Sequence, residues 1–132
     1  MKAAHLDHVN LRIPADRVDD AVAFYRDTLG FALEDLGAYR SGDRPIFSVR
    51  LSETSIIHLS PSETVEAPTE QNYDHAAIVV EDSIDEVKQG LTDAGIEIER
   101  ESTPKGAMGS APAVYVRDPF GYRLEIKTTG QE

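Results

Sequence analysis

Leu6-Asp7-His8-Val9 recurs 67 residues later as Tyr73-Asp74-His75-Ala76. The same offset carries His58, in Ser55-Ile56-Ile57-His58-Leu59, onto Glu125, in Tyr122-Arg123-Leu124-Glu125-Ile126. Each half of the chain thus has one polar, metal-ligating type of side chain near its start and another near its end. Self-similarity at a fixed period fixes architecture before any single residue does. At 132 residues the chain suits one domain with a real core. The repeat therefore marks two half-domains that must pair to bury their faces.

Each half reads as strand, helix, then strands. In the first, His5 to Ile13 alternates as a strand and Pro14 stops it. Asp16 is the expected N-cap of a helix carrying Val18, Val22, Tyr25 and Leu29 at a 3.6 period, and Gly30 supplies its C-terminal stop. Strands are expected at Phe31 to Leu36, Pro45 to Leu51 and Ser55 to Leu59, with turns near Gly42-Asp43 and Glu53-Thr54. In the second, Asp74 to Val80 is strand-like and Ser83-Ile84-Asp85-Glu86 forms a capping box. A helix follows with Ile84, Val87, Leu91 and Ala94 inward, ending at Gly95. Ile96 to Arg100 reads as a strand and Thr103 to Pro112 as a loop. Ala113 to Arg117 and Tyr122 to Lys127 then make a hairpin around Asp118-Pro119-Phe120-Gly121. The polar stretch from Ser60 to Asn72 reads as a linker. The expected organisation is a single α+β domain over 5–128, with a module at about 5–60, a linker at 61–72 and a module at about 73–128.

Twenty-four acidic residues against 13 basic ones give a formal charge of −11. Such a surface repels phosphate backbones and anionic membranes, which argues against nucleic-acid or membrane partners. Only four of the basic residues are Lys (Lys2, Lys88, Lys105, Lys127). That balance suits a salt-adapted cytoplasm and an ordinary acidic protein equally. Without cysteine there is no disulfide, thiolate nucleophile or sulfur-ligated zinc. No apolar run of about 18 residues and no signal-like N-terminus occurs, so a soluble, cytoplasmic protein is expected.

The repeated polar residues propose chemistry. Glu125 sits between Leu124 and Ile126, so it faces solvent or is buried with a partner, and a buried carboxylate needs a cation or strong donors. His5 has no counterpart in the second half and reads as a structural residue. Three imidazoles (His8, His58, His75) and one carboxylate (Glu125) suit a borderline divalent ion: Ni, Zn, Co, Fe(II) or Mn. They do not suit Ca or Mg, which take all-oxygen shells. Without His58, the set His8, His75 and Glu125 is a two-His-one-carboxylate triad.

Three segments carry a resemblance that spans about Leu6 to Thr128. They are Leu6-Asp7-His8-Val9-Asn10-Leu11-Arg12-Ile13, Ala23-Phe24-Tyr25-Arg26-Asp27-Thr28-Leu29-Gly30-Phe31 and Asp118-Pro119-Phe120-Gly121-Tyr122-Arg123-Leu124-Glu125. They resemble the vicinal oxygen chelate superfamily, which includes glyoxalase I, fosfomycin-resistance enzymes, extradiol dioxygenases and bleomycin-resistance proteins. The resemblance implies two βαβββ modules whose mixed sheets curl around a metal. It also implies a homodimer in which His8 and His58 of one chain meet His75 and Glu125 of the other. The spacing is most similar to bacterial glyoxalase I, a lyase/isomerase, which has Glu where this chain has His58.

By that likeness Glu125 and His58 are the catalytic proton carriers. Arg12 and Lys105 would hold an anionic part of a small-molecule substrate, and a thiol cosubstrate is implied. Ser62 and Gln71 stand where family members can carry Asn and Arg, a departure at the thiol-contacting positions. The rival reading is a ring-cleaving dioxygenase holding Fe(II) on His8, His75 and Glu125. There His58 would be an acid–base residue and Tyr115 would face the substrate. A binding module of the bleomycin-sequestering kind is the alternative from another class. Those members lack the ligand set.

Overall fold

The structure, a computed structural model, describes residues 2, 4–68 and 73–130. Two compact units divide the chain at Met1–Glu66 and Ala67–Glu132. The part of the expected linker at 69–72 lies outside the described residues.

The first unit runs β1 (His8–Pro14), a 3-10 turn (Ala15–Arg17), α1 (Val18–Ala21) continuing as a π-helical stretch (Val22–Thr28), β2 (Ala32–Glu34), α2 (Leu36–Arg40), β3 (Phe47–Arg50) and β4 (Ile56–Ser62). Its strands lie in the order β1-β4-β3-β2, with β1 parallel to β4 and the other pairs antiparallel. A parallel pair needs a crossover of a dozen or more residues, which the helix and the β2–β3 excursion provide. Leu11 and Ile13 of β1, Phe47 and Val49 of β3, and Ile57 and Leu59 of β4 share one buried face. Each contributes about 1.5–3 kcal/mol by leaving water. The even-numbered residues, among them His8, Asn10, Ser48 and His58, occupy the opposite face.

Several expectations for this unit are corrected. Asp16 does not cap the helix; it lies inside the 3-10 turn, and neither that turn nor α1 has a side-chain N-cap. Pro14, fixed at φ −60°, already aims the chain into the turn. Nor does the 3.6 period hold to the end. The π stretch adds a residue to the turn, seen where Leu29 N–H donates to Phe24 O at 2.9 Å. Phe24 is thereby buried beside Tyr25, and Leu29 is only half-buried. Gly30 does end the helix, at φ +79°, its N–H donating to Arg26 O. The strand expected from Phe31 to Leu36 stops at Glu34, because Asp35 takes a left-handed conformation (φ 65°) and opens α2.

The second unit runs β5 (Ala76–Val80), α3 (Ile84–Asp93), β6 (Arg100–Ser102), a ribbon of β7 (Lys105–Gly106) and β8 (Gly109–Ser110), β9 (Ala113–Arg117) and β10 (Arg123–Thr128). Its four-stranded sheet, β5-β10-β9-β6, repeats the plan of the first, with β5 parallel to β10. Ser83 Oγ accepts from Glu86 N–H at 3.2 Å, the expected cap of α3. Leu91 is buried, but Ala94, expected inward, is exposed beyond the last turn. The strand expected at Ile96 to Arg100 begins only at Arg100, where pairing with β9 starts. Leu124, Ile126, Val114 and Val116 line the buried face, and α3 packs on β9 and β10.

At the β9–β10 turn Asp118, 4% exposed, accepts from Phe120 and Tyr122 N–H, both at 2.9 Å. Gly121 closes the turn at φ +96°, a conformation that only glycine takes without strain.

Candidate functional site

The two sheets share a register as well as an order. In the first, His58 pairs with Asn10 on one side and Ser48 on the other. In the second, Glu125 pairs with Ala77 and Tyr115. Every partner is related by the same 67 residues. Because 67 is odd, the site face is even-numbered in the first unit and odd-numbered in the second.

In the first unit the rings of His8 and His58 lie 4.5 Å apart between centroids. His8 Nδ1 faces Asp7 Oδ2 at 2.8 Å. A carboxylate only accepts, so Nδ1 carries the proton and Nε2 a lone pair. That hydrogen bond holds the Asp7 carboxyl below its ordinary range, against the opposing effect of desolvation. His58 Nδ1 meets Ser48 Oγ at 2.7 Å, and Ser48 is 3% exposed. Desolvation first, then the neighbouring His8, lowers the His58 pKa below 6.5 and favours the neutral, ligating form.

In the second unit His75 stands just before β5, with Nδ1 hydrogen-bonded to Asp74, whose carboxyl is held low chiefly by that bond. His75 Nε2 lies 3.4 Å from Glu125 Oε1. With Nδ1 donating to Asp74, Nε2 is the ring nitrogen turned to the carboxylate, and a proton or a cation held between the two would satisfy both. Glu125 is 5% exposed, on the face opposite Leu124 and Ile126. Its Oε1 accepts from Tyr115 OH at 2.5 Å. The Tyr115 ring, 4% exposed, meets the His75 ring edge-on at 5.4 Å.

All three imidazoles thus have Nδ1 engaged, an arrangement by which neighbouring groups orient metal-ligating histidines. The donor set of three nitrogens and a carboxylate fits a borderline divalent ion. The structure gathers it as two pairs, His8 with His58 and His75 with Glu125. Among the described residues no group of three or more His, Asp or Glu is assembled for a metal.

The expected anion-binding residues stand differently. Arg12 is exposed on β1, two residues along the strand from Asn10, and borders a hollow with Asn10, Pro45, Ile46 and Ser60. Lys105 is exposed on the β7–β8 ribbon and makes no side-chain hydrogen bond or ion pair among the described residues. Ser62 ends β4, and Gln71 lies outside the described residues. Two neighbours of the candidate pairs were not expected. Ser48 could have been found, since it sits 67 residues before Tyr115. Arg100, whose guanidinium lies 4.2 Å over the Tyr115 ring, has no such signal.

Two equivalent βαβββ units, each with a pair of side chains of metal-ligating type on or beside its sheet, define a duplicated α+β scaffold. The chain belongs to the glyoxalase/bleomycin resistance protein/dioxygenase superfamily, whose model matches residues 5–126. Among solved structures it is similar to an integron cassette protein from the mobile metagenome of V. cholerae (25% identity, 97% of each chain covered, TM-score 0.72). It is likewise similar to a lactoylglutathione lyase from Agrobacterium tumefaciens (21%, 97% of this chain and 96% of that one, TM-score 0.65). A genomically encoded fosfomycin resistance protein from Listeria monocytogenes shares the fold too (17%, 98% and 94%, TM-score 0.66). No curated protein matches the chain. Members of the family act on small molecules, typically with a divalent metal and often as dimers, and they include both enzymes and non-enzymatic resistance proteins. No helix among the described residues is long and apolar enough to cross a membrane.

Proposed function

We propose that the protein is a metal-dependent enzyme of the glyoxalase I type, a lyase/isomerase acting on a small molecule with two neighbouring oxygens. The observation that carries this reading is the pair His75 Nε2 and Glu125 Oε1, an imidazole nitrogen 3.4 Å from a buried carboxylate oxygen. His8 and His58 of one chain, with His75 and Glu125 of a second chain in a homodimer, would hold Ni, Zn, Co, Fe(II) or Mn. The bound ion supplies Lewis acidity toward the substrate oxygens.

The chain's own residues do the rest. Glu125 is the proton carrier, and Tyr115 OH restrains its carboxylate in one orientation. Asp7 and Asp74 fix two imidazoles in the tautomer that leaves Nε2 free. His58, neutral and oriented by Ser48, is the second proton carrier. Its place is taken by Glu in bacterial glyoxalase I, so this site has one negative charge fewer and a different substrate preference. Arg12 and Lys105 would steer an anionic substrate or thiol adduct toward an otherwise acidic protein.

Reconstitution tests the reading. Purified protein supplied with Ni, Zn, Co, Fe(II) or Mn is expected to retain one ion per site, and Glu125→Ala to lose both ion and turnover. Loss of a methylglyoxal–thiol adduct with Ni or Zn supports the isomerase. Ring-cleavage colour from a catechol with Fe(II) in air would instead support the dioxygenase, for which the Tyr115–Glu125 contact is also suited. Failure to retain any of these ions removes the enzyme reading and leaves a small-molecule binding module.

A further inference from the structure

We infer that Arg100 is the anion-binding residue of the second unit's site face, holding a carboxylate or phosphonate of the ligand beside Glu125. The inference takes Glu125 and His75 as part of the site and adds the class of substrate the site accepts.

The register places the residue. Arg100 on β6 pairs with Tyr115 on β9, which pairs with Glu125 on β10. Side chains at paired positions point to the same face of a sheet, so the guanidinium, the phenol and the carboxylate form one row. The guanidinium carbon stands 4.2 Å from the centroid of the Tyr115 ring. The ring's negative face attracts the cation and holds it flat. More important here, it engages the flat face of the group and leaves the in-plane N–H fork unused. That fork matches the paired oxygens of a carboxylate or phosphonate.

Charge makes the vacancy of the fork informative. In a chain with 24 acidic and 13 basic residues, an arginine has many acidic partners to choose from. The acids nearest to Arg100 in sequence or space are each engaged elsewhere. Glu99 accepts from Arg117 at 3.0 Å, Glu101 binds Lys88 at 2.6 Å, and Asp74 is bound by His75 with Arg123 3.7 Å away. Arg100 itself is exposed, acts on the Asp74 carboxylate through space without contact, and makes neither an ion pair nor a hydrogen bond among the described residues. It is a cation held in place by an aromatic ring whose hydroxyl is bonded to Glu125, with its donors turned to solvent. An anion docked there would sit beside Tyr115, whose OH is bonded to the group proposed to move the proton. Lys105, by contrast, lies on a separate ribbon.

The test uses the 132-residue chain without metal and two probes, acetate and methylphosphonate, titrated at constant ionic strength. Binding is read from the ring resonances of Tyr115, assigned by comparison with Tyr115→Phe. The expected result is a saturable shift in the unaltered protein, weakened about tenfold or more in Arg100→Gln, the loss of one charge-assisted hydrogen-bonded contact. Arg100→Lys keeps the charge but not the fork and should fall between the two. Arg40→Gln, which removes a cation paired to Asp19 far along the chain, should bind as the unaltered protein does. A response to acetate alone assigns a carboxylate, and a response to methylphosphonate alone assigns a phosphonate. An equal midpoint in Arg100→Gln, or no saturable shift with either probe, overturns the inference. After separate reconstitution with Ni or Zn, the metal content of Arg100→Gln should equal that of the unaltered protein. If the unaltered protein retains no metal yet binds the anion through Arg100, the enzyme reading falls and the anion site stands.

Discussion

At the scale of single residues, the repeat extends beyond the groups that would touch a metal to the groups that hold them. Ser48 and Tyr115 occupy equivalent positions and perform equivalent acts, one on the His58 imidazole and one on the Glu125 carboxylate. Both members of the pair differ between the two halves, and a hydrogen bond joins them in each. Ser48→Ala should therefore lower metal affinity about 10- to 100-fold without unfolding the protein, the range typical of lost orienting partners. Competition with a chromophoric chelator measures it, and Ser48→Thr should restore most of the loss. If Ser48→Ala binds metal like the unaltered protein while His58→Ala does not, Ser48 is only a packing residue. The histidines, Glu125 and Tyr115 were legible in the sequence because identity or strand position marks them. Arg100 was not legible, because cross-strand register depends on where β6 begins pairing, and that start lies four residues later than alternation suggests.

Elements show where local rules were overruled. The first helix could be read as a helix, but its π stretch could not, since the period of apolar residues says nothing about one inserted residue. Asp35 in a left-handed conformation likewise ends β2 early, a choice open to Asp in many contexts and not announced by its neighbours. The β9–β10 turn was legible because Asp, Pro and Gly each have a strong conformational role there. Its strength lies in Asp118, and Asp118→Ala should cost about 1–3 kcal/mol by leaving two inward amides without an acceptor. A urea titration monitored by circular dichroism reads this directly, and Asp118→Asn should recover part of it. The edge pair β2–β3 responds to pH. Glu34 accepts two hydrogen bonds from Arg50, at 3.2 and 2.9 Å, and that bond holds its carboxyl below 4.5. A depressed carboxyl contributes stability that is fully present above its unfolded pKa and is lost as pH falls through the folded one. Glu34→Gln should therefore shift the urea midpoint slightly at pH 7, and progressively less as the pH is taken down through the folded-state value. A shift of equal size across that range would place the effect in packing, not in the ion pair.

For the whole molecule the decisive quantity is the charge of −11. Its basic residues are largely committed to local pairs, such as Arg17 with Asp20, Arg40 with Asp19 and Arg50 with Glu34. Those pairs are exposed, and each is worth no more than about 1 kcal/mol. The acids in excess of the bases repel one another over a Debye length of about 10 Å at 0.1 M salt, shrinking to about 3 Å at 1 M. Salt weakens both effects, so the sign of its action shows which is larger. With 24 acids against 13 bases, repulsion is the larger. Raising sodium chloride from about 0.05 to 1 M at pH 7.5 should raise the melting temperature, by about 4 °C for each kcal/mol of repulsion removed. Near pH 4.7, where the chain carries no net charge, the same salt series should leave the melting temperature flat or lower it, because only the attractive pairs remain to be screened. Choline chloride should reproduce the rise at pH 7.5 if screening is the cause. A rise with sodium but not with choline would instead indicate specific cation binding, and a fall at pH 7.5 would mean the ion pairs outweigh the excess charge.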